Sequence, residues 1–301
     1  MKFVLSAEQR MFGDTLRDLL AEAETPKTIR AWAAGDTGPG RALWSAVAEA
    51  GVFAVAVPED SGGAGPLPVE LCVAAEELGR AAAPGPYVET LAAADLLDGS
   101  PWLPRIAEGE AIVSLAVPHA LDADAADLVL TVDGADCEPG EPVTSLDPAR
   151  RLFRVPSAGS PGFTDLGALL CAAQQIGLGR ALLDVSVAYA KTRRQFGRPI
   201  GEYQAVKHHL ATALVELEFA RPLVYGAALS HGTPDFARDV SAAKVAASEA
   251  SYATAKTALQ VHGAIGYTDE YDPSLWIRKA RTLYSAWGTV PEHRARVIAA
   301  L

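Results

Sequence analysis

The sequence predicts a mainly α-helical fold with a small β insert, and three observations carry that expectation. Alanine- and leucine-rich stretches in both the first and the last third place apolar residues at helical spacing. A middle section of about 50 residues switches to short apolar runs bounded by turn residues, the pattern of strands. From about Thr164 onward, four long helical segments follow one another through short links, as in an antiparallel bundle. The expected organisation is a helical domain over 1–110, a reduced β-domain over 111–162 and a four-helix bundle over 163–301.

In chain order, Ser6 and Gln9 form a capping box, in which the serine accepts from a free amide and the glutamine reaches back. Phe12, Leu16, Leu19 and Leu20 then mark one face of a first helix. A second helix is expected over 41–50, with Leu43, Trp44 and Val47. PEDSGGAG (58–65) is a glycine-rich loop, and VELCVAAEELGRAAA (69–83) is a buried helix that stops before Pro84 and Pro86. AIVSLAVP (111–118), ADLVLTVDG (126–134) and RLFRVP (151–156) read as strands. Too few residues remain there for a full barrel. The helix that begins near Thr164 is apolar on most faces, which suits the middle of a bundle. Helices over 202–230, 234–262, and 273–286 with 290–301 complete it.

Composition narrows the function classes. The net charge of −11 argues against nucleic acid as the main partner. KTRRQFGR (191–198) is the clearest local basic cluster. No apolar run is expected to span a membrane. MKFVLSAEQR lacks the apolar core and cleavage site of a signal peptide. Cys72, Cys137 and Cys171 have no metal or redox spacing and fit a reducing compartment, so a cytoplasmic protein is expected.

Two segments carry chemistry. In RRQFGRPIGEYQ (193–204), two arginines, an aromatic and an amide gather at a turn between helices. Taken alone, arginines at a helix end also serve its dipole, and Pro199 and Gly201 are ordinary turn residues. In QVHGAIGY (260–267), Gln260 offers a donor and an acceptor, while Gly263 and Gly266 permit close backbone approach. Together, a guanidinium, exposed amides and glutamines at helix ends suit a pyrophosphate.

These segments resemble the acyl-CoA dehydrogenase patterns RxxFGxxxxxxQ and QxxGGxGY. AVPEDSGGAGPLPVELCVAAEELGR (56–80) is similar to that family's N-terminal helical domain, and YSAWGTVPEHRARVIA (284–299) to its closing Y-E-G-T segment. The resemblance covers nearly the whole chain and implies an acyl-CoA dehydrogenase-like fold that uses FAD at a subunit interface. It implies that Arg193, Phe196 and Gln204 contact the ADP half of a flavin seated mainly in an adjacent subunit. Gln260, Gly263 and Ala264 would match the segment holding the same pyrophosphate and adenosine; Ala264 stands where the family has glycine.

The chain departs from the pattern in two places. The family removes an α proton with a carboxylate as the β hydride passes to the flavin. Trp287 stands where Y-E-G-T carries that glutamate, and indole has no basic lone pair. The family's other base position, on the preceding long helix, falls on Gly167, with Asp165 two residues away as a weak relocated candidate. No ordinary catalytic residue is therefore expected. The middle section also lacks the β-domain segments that cup the flavin ring, keeping only HALDADAADLVLTVDG (119–134). The resemblance thus implies the shortened, base-lacking subunit of a heteromeric acyl-CoA dehydrogenase of the steroid-degradation kind. Its partner would be a paralogous catalytic subunit, in an α2β2 assembly, that binds most of the acyl-CoA. A stand-alone flavoenzyme with a relocated base and a flavin-free interaction protein are the alternatives.

Other residues read as structural. His208 and His209 point about 100° apart on a helix, a poor metal pair, with one expected buried and one exposed. His262 reads as packing, and Glu76 and Glu77 as a solvated face or a helix-end contact. Trp276 and Trp287 are expected to fill core or interface, the latter as a plug of a vestigial acyl pocket. Thr289 and Glu292 match the family's T-x-E stretch only loosely.

Overall fold

The computed structural model describes residues 4–155 and 162–301. The fold is mostly helical with a small middle sheet. The N-terminal part contains α1 (Ala7–Glu22), α2 (Thr25–Ala33), α3 (Gly38–Glu49), α4 (Pro68–Arg80), α5 (Tyr87–Ala93) and α6 (Trp102–Ala107). The Ser6–Gln9 capping box starts α1. α2, α5 and α6 extend the sequence reading. α5 lies beyond Pro84 and Pro86, and all seven of its residues are buried, so it has no polar face to give a period.

The sheet has five strands in the order β3-β1-β2-β5-β4. These are β1 (Val113–Ala116), β2 (Ala120–Leu121), β3 (Leu128–Thr131), β4 (Pro142–Val143) and β5 (Leu152–Phe153). β1 and β3 run parallel, with Val113 opposite Leu128. The other pairings are antiparallel. The third expected strand shrinks to β5, and Pro156 at its end lies outside the described residues, as do the first three residues of the N-terminal stretch. β1 and β3 are buried along their whole length, as four-residue strands covered on both faces must be.

The C-terminal part is a bundle of α7 (Asp165–Thr192), α8 (Gln204–Leu229), α9 (Phe236–His262) and a broken fourth helix, α10 (Pro273–Leu283) with α11 (Val290–Ala299). α9 packs against the other four. α7 corrects one expectation: by length and composition it is apolar enough to cross a membrane. That apolar stretch is 89% buried inside the fold, which makes α7 the bundle's central helix.

Two glycines set how α4 crosses α7. A Cβ on Gly79 would lie 2.0 Å from the Gln174 carbonyl, and one on Gly177 would lie 1.7 Å from the Glu76 carbonyl. Only hydrogens there let the backbones touch. Around this crossing Glu76 and Glu77 are buried, contrary to the solvated-face reading. Glu76 takes Arg180 and Arg221 and accepts from the Tyr225 hydroxyl at 2.8 Å, while Glu77 pairs with Arg17. Charges removed from water need such partners.

Candidate functional site

α7 ends at Thr192, Arg193 follows as its extended cap, and the chain turns into a hairpin of β6 (Arg194–Gln195) and β7 (Arg198–Pro199). Its two-residue turn is Phe196–Gly197, both at positive φ (51° and 82°), as a type I′ turn requires. Glycine adopts this freely; phenylalanine does so at a cost. The Phe196 ring is nevertheless 92% exposed. Neighbouring side chains hold the hairpin in shape. Arg194 donates to the Gly197 carbonyl, Arg198 lies over the Tyr203 ring, and the Tyr203 hydroxyl donates to the Gln195 carbonyl. Arg193 is exposed, and among the described residues its side chain has no hydrogen bond or ion pair.

The hairpin tip, the start of α8 and the end of α9 meet around an open cleft of about 530 Å³. Phe196, Tyr203, Val206, His209 and Gln260 line it. Gln204 is the exposed first residue of α8 and immediately precedes lining residues. Gly263 caps α9 at φ 67°, and a Cβ added there would meet nothing within 4 Å. Ala264 follows, exposed. The fold thus brings Phe196 and Gln260 to one cleft with Gln204 beside it, while Arg193, Gly263 and Ala264 are exposed just beyond its lining. His208 and His209 are both exposed, against the expectation that one is buried. His262 is packing: its Nδ1 bonds the Ala258 carbonyl, its ring lies between Tyr189 and Tyr271, and burial lowers its pKa.

Trp287 and Gly167, the two positions to which the resemblance assigns the family's base, lie against each other. The Trp287 indole covers Gly167 so closely that a Cβ there would sit 2.0 Å from a ring carbon. Trp287 is buried and held at φ 59°, uncommon for so bulky a residue. His293 fixes this turn from below, donating from Nε2 to the Trp287 carbonyl at 2.9 Å while Nδ1 accepts from Ser241. Burial pushes the His293 pKa down to about 4, so the ring stays neutral. Asp165 is committed elsewhere, its carboxylate 2.7 Å from Arg296 at the α7–α11 seam. Glu292 accepts from the Thr289 amide as the capping box of α11, which accounts for its displacement from the family's T-x-E spacing.

Sequence reasoning missed one carboxyl beside this turn. Glu89 of α5 is 4% exposed, with the Trp287 indole N–H as a nearby donor and Arg150 and Lys279 nearby as cations. Burial raises its pKa despite them. Its signal was a lone glutamate inside the apolar run YVETLAA.

On the outside of the bundle, α8 and α9 expose an apolar patch. Phe219 is 77% exposed, and with Val215, Leu223, Tyr252 and Tyr284 it lines a shallow groove.

Comparison with known proteins bears on the fold. Residues 6–110 match the model of the acyl-CoA dehydrogenase N-terminal domain, and residues 162–301 match that of the C-terminal domain. The chain belongs to the acyl-CoA dehydrogenase family. This is a family of oxidoreductases acting on acyl-CoA thioesters. The chain is 36% identical over 292 residues to acyl-CoA dehydrogenase IpdE2 of Mycobacterium tuberculosis, covering 91% of each chain. It is 35% identical over 285 residues to acyl-CoA dehydrogenase FadE34 of the same organism, covering 82% of this chain but only 40% of FadE34. Among solved structures, the ChsE4-ChsE5 complex from M. tuberculosis superposes with a TM-score of 0.84 at 22% identity, covering 99% and 98% of the two chains. The Tcur3481-Tcur3483 steroid acyl-CoA dehydrogenase variant gives 0.82 at 24%, covering 97% of each. A Bacillus anthracis acyl-CoA dehydrogenase solved with FAD gives 0.79 at 18%, covering 98% of this chain and 68% of that one.

Proposed function

We propose that this chain is the FAD-supporting, non-catalytic subunit of a heteromeric acyl-CoA dehydrogenase. Its partner is a paralogous subunit that supplies the base, the full β-domain and most of the acyl-CoA site. When bound, FAD accepts the hydride from the β carbon of the thioester. The residues present fit the ADP half of that cofactor. Arg193 is a fork of donors without an internal partner, suited to a diphosphate. Gln204 and Gln260 supply amides, the open backbone at Gly263 and Ala264 permits close approach, and Phe196 offers a face for a planar ring. The observation that carries the reading is the pairing of this uncommitted, exposed constellation with a base position closed by Trp287.

Several findings support the partner. The α8–α9 groove exposes Val215, Phe219 and Leu223, apolar side chains that a partner surface would cover. Two of the similar structures are two-protein assemblies by name, one described as a steroid enzyme, which supports a steroid-derived acyl group. In FadE34 the counterpart of this chain is less than half of a longer polypeptide, as expected if a partner unit is fused to it. The free thiols Cys72, Cys137 and Cys171 suit work in the cytoplasm.

Glu89 favours a second reading, a stand-alone enzyme whose base has moved to α5. One experiment separates the two: flavin absorbance, native mass and acyl-CoA oxidation are measured on the chain alone and after co-expression with a paralogue carrying the glutamate. The subunit reading predicts stoichiometric FAD, a heteromer (α2β2) and turnover only on co-expression. FAD and turnover by the chain alone, lost in Glu89→Gln, would establish the second reading instead.

A further inference from the structure

The β2–β5 edge of the sheet reaches the N-terminal helices at a small seam. There the turn between β2 and β3, and Arg151 just before β5, meet Trp32 of α2 and Arg41 of α3. Two hydrogen bonds close the strand side. The Asp122 amide donates to the Arg151 carbonyl at 2.6 Å, and the Arg151 amide donates to Asp122 Oδ1 at 3.2 Å. Two more cross to the helices. Arg151 Nη1 donates to the Trp32 carbonyl at 3.2 Å, its guanidinium 4.8 Å from the centre of the Trp32 ring. Arg41 Nη2 donates to the Ala125 carbonyl at 2.7 Å.

Asp122 stands at the centre of this seam, fully buried and at φ 51°. Its Oδ1 lies 3.4 Å from Arg151 Nε, but Oδ2 has no hydrogen-bond partner among the described residues. The Trp32 indole N–H, close by, is likewise buried without a partner among them. A carboxylate withdrawn from water with one oxygen unsatisfied is unfavourable, and burial disfavours the charged form above the neutral one. Arg151 does not depend on Asp122 for a counter-charge, because its Nη2 lies 3.1 Å from the exposed Asp124. The charged groups around Asp122 are Arg150 and Arg151 before β5, Asp124 on its own turn and Arg41 on α3, while α2 presents the Trp32 indole. Burial outweighs the arginines and the indole and pushes the Asp122 pKa up to about 7, against 3.8 for an aspartate in water. Closing the seam therefore takes up a proton between these values. The stability it contributes is complete below about pH 4 and is lost as pH rises through about 7.

We propose that Asp122 is a pH-sensitive latch between the sheet and the N-terminal helices, closed when its carboxyl is neutral and loosened when it ionises. Loosening acts on β2 and β5, which pair beside the latch with Leu121 opposite Leu152, and on β4, the edge strand beyond β5. The inference is independent of the flavin reading and uses no residue of the hairpin or of the Trp287 turn.

Hydrogen–deuterium exchange on the full chain, in whatever assembly it purifies, tests the latch at about pH 6 and about pH 8.5, with labelling times scaled for the intrinsic pH dependence of amide exchange. The reporters are peptides carrying the Asp122, Ala125 and Arg151 amides, each of which donates a hydrogen bond at the seam. After scaling, they are expected to exchange roughly tenfold faster at the higher pH, as a carboxyl titrating near neutrality requires. Amides of α9 should show no such difference. Asp122→Asn, similar in shape and permanently neutral, is expected to keep the slow rate at both pH values, and Asp124→Asn to leave the pH dependence in place. Equal exchange of the wild-type seam at both pH values, a pH dependence that survives Asp122→Asn, or an equal change in α9 would each overturn the inference. The wild-type comparison requires no variant, so a poorly folding mutant cannot obscure it.

Discussion

The hairpin at 193–199 and the Trp287 turn, the two places where the proposed reading puts cofactor contact and the lost base, are in opposite physical states. At the hairpin, the Arg193 and Phe196 side chains are exposed, Phe196 meeting only the edge of the Tyr203 ring among the described aromatic rings, while Arg194, Arg198 and Tyr203 maintain the shape. At the turn every group is committed. The indole lies on Gly167, its carbonyl accepts from His293, and His293 is tied to Ser241. Uncommitted exposed groups cost little and are available to another molecule, whereas a buried, strained aromatic persists only where packing over-determines it. One region leaves its side chains open to solvent and the other is closed.

That contrast can be broken or sharpened by substitution. Trp287→Ala removes a buried aromatic and should cost about 3–5 kcal/mol, while Gly167→Ala forces a methyl into the indole and should cost about 1–3 kcal/mol. Denaturant unfolding measures both. A loss below about 0.5 kcal/mol in each would mean that the turn is loose and the base position open. A smaller effect concerns pH. His293 has a folded pKa near 4 against 6.5 unfolded, so between these values the unfolded chain binds more protons. Stability contributed by the neutral ring is complete above pH 6.5 and declines as pH falls toward 4, by at most about 3 kcal/mol. His293→Gln should flatten that slope in melts taken from pH 7 to pH 4. An unchanged slope would assign the acid sensitivity to other groups.

Much of this was legible in the sequence. Capping residues, helical spacing and the glycine stops set the helices of the bundle, and the resemblance of RRQFGRPIGEYQ to a family motif singled out Arg193, Phe196 and Gln204, which the fold leaves exposed. That Trp287 and Gly167 touch could not be read, because they are far apart in the chain and meet only when α7 packs beside the turn after α10. Glu89 was hidden for a related reason, since α5 is buried on all sides and shows no amphipathic pattern. β2 and β4 are two residues each and exist through pairing with β5, which no local propensity specifies. Glu76 looked like a surface residue because its partners Arg180 and Arg221 come from other helices.

The central claim, that this chain lends the hairpin to a flavin shared with a partner, is tested most directly by Arg193→Ala combined with Phe196→Ser in the co-expressed complex. Both side chains are exposed, so the melting temperature of this chain alone should stay nearly unchanged, as surface substitutions do. FAD per complex should fall at least tenfold. Full FAD occupancy in the double variant, with the complex intact, would contradict the account.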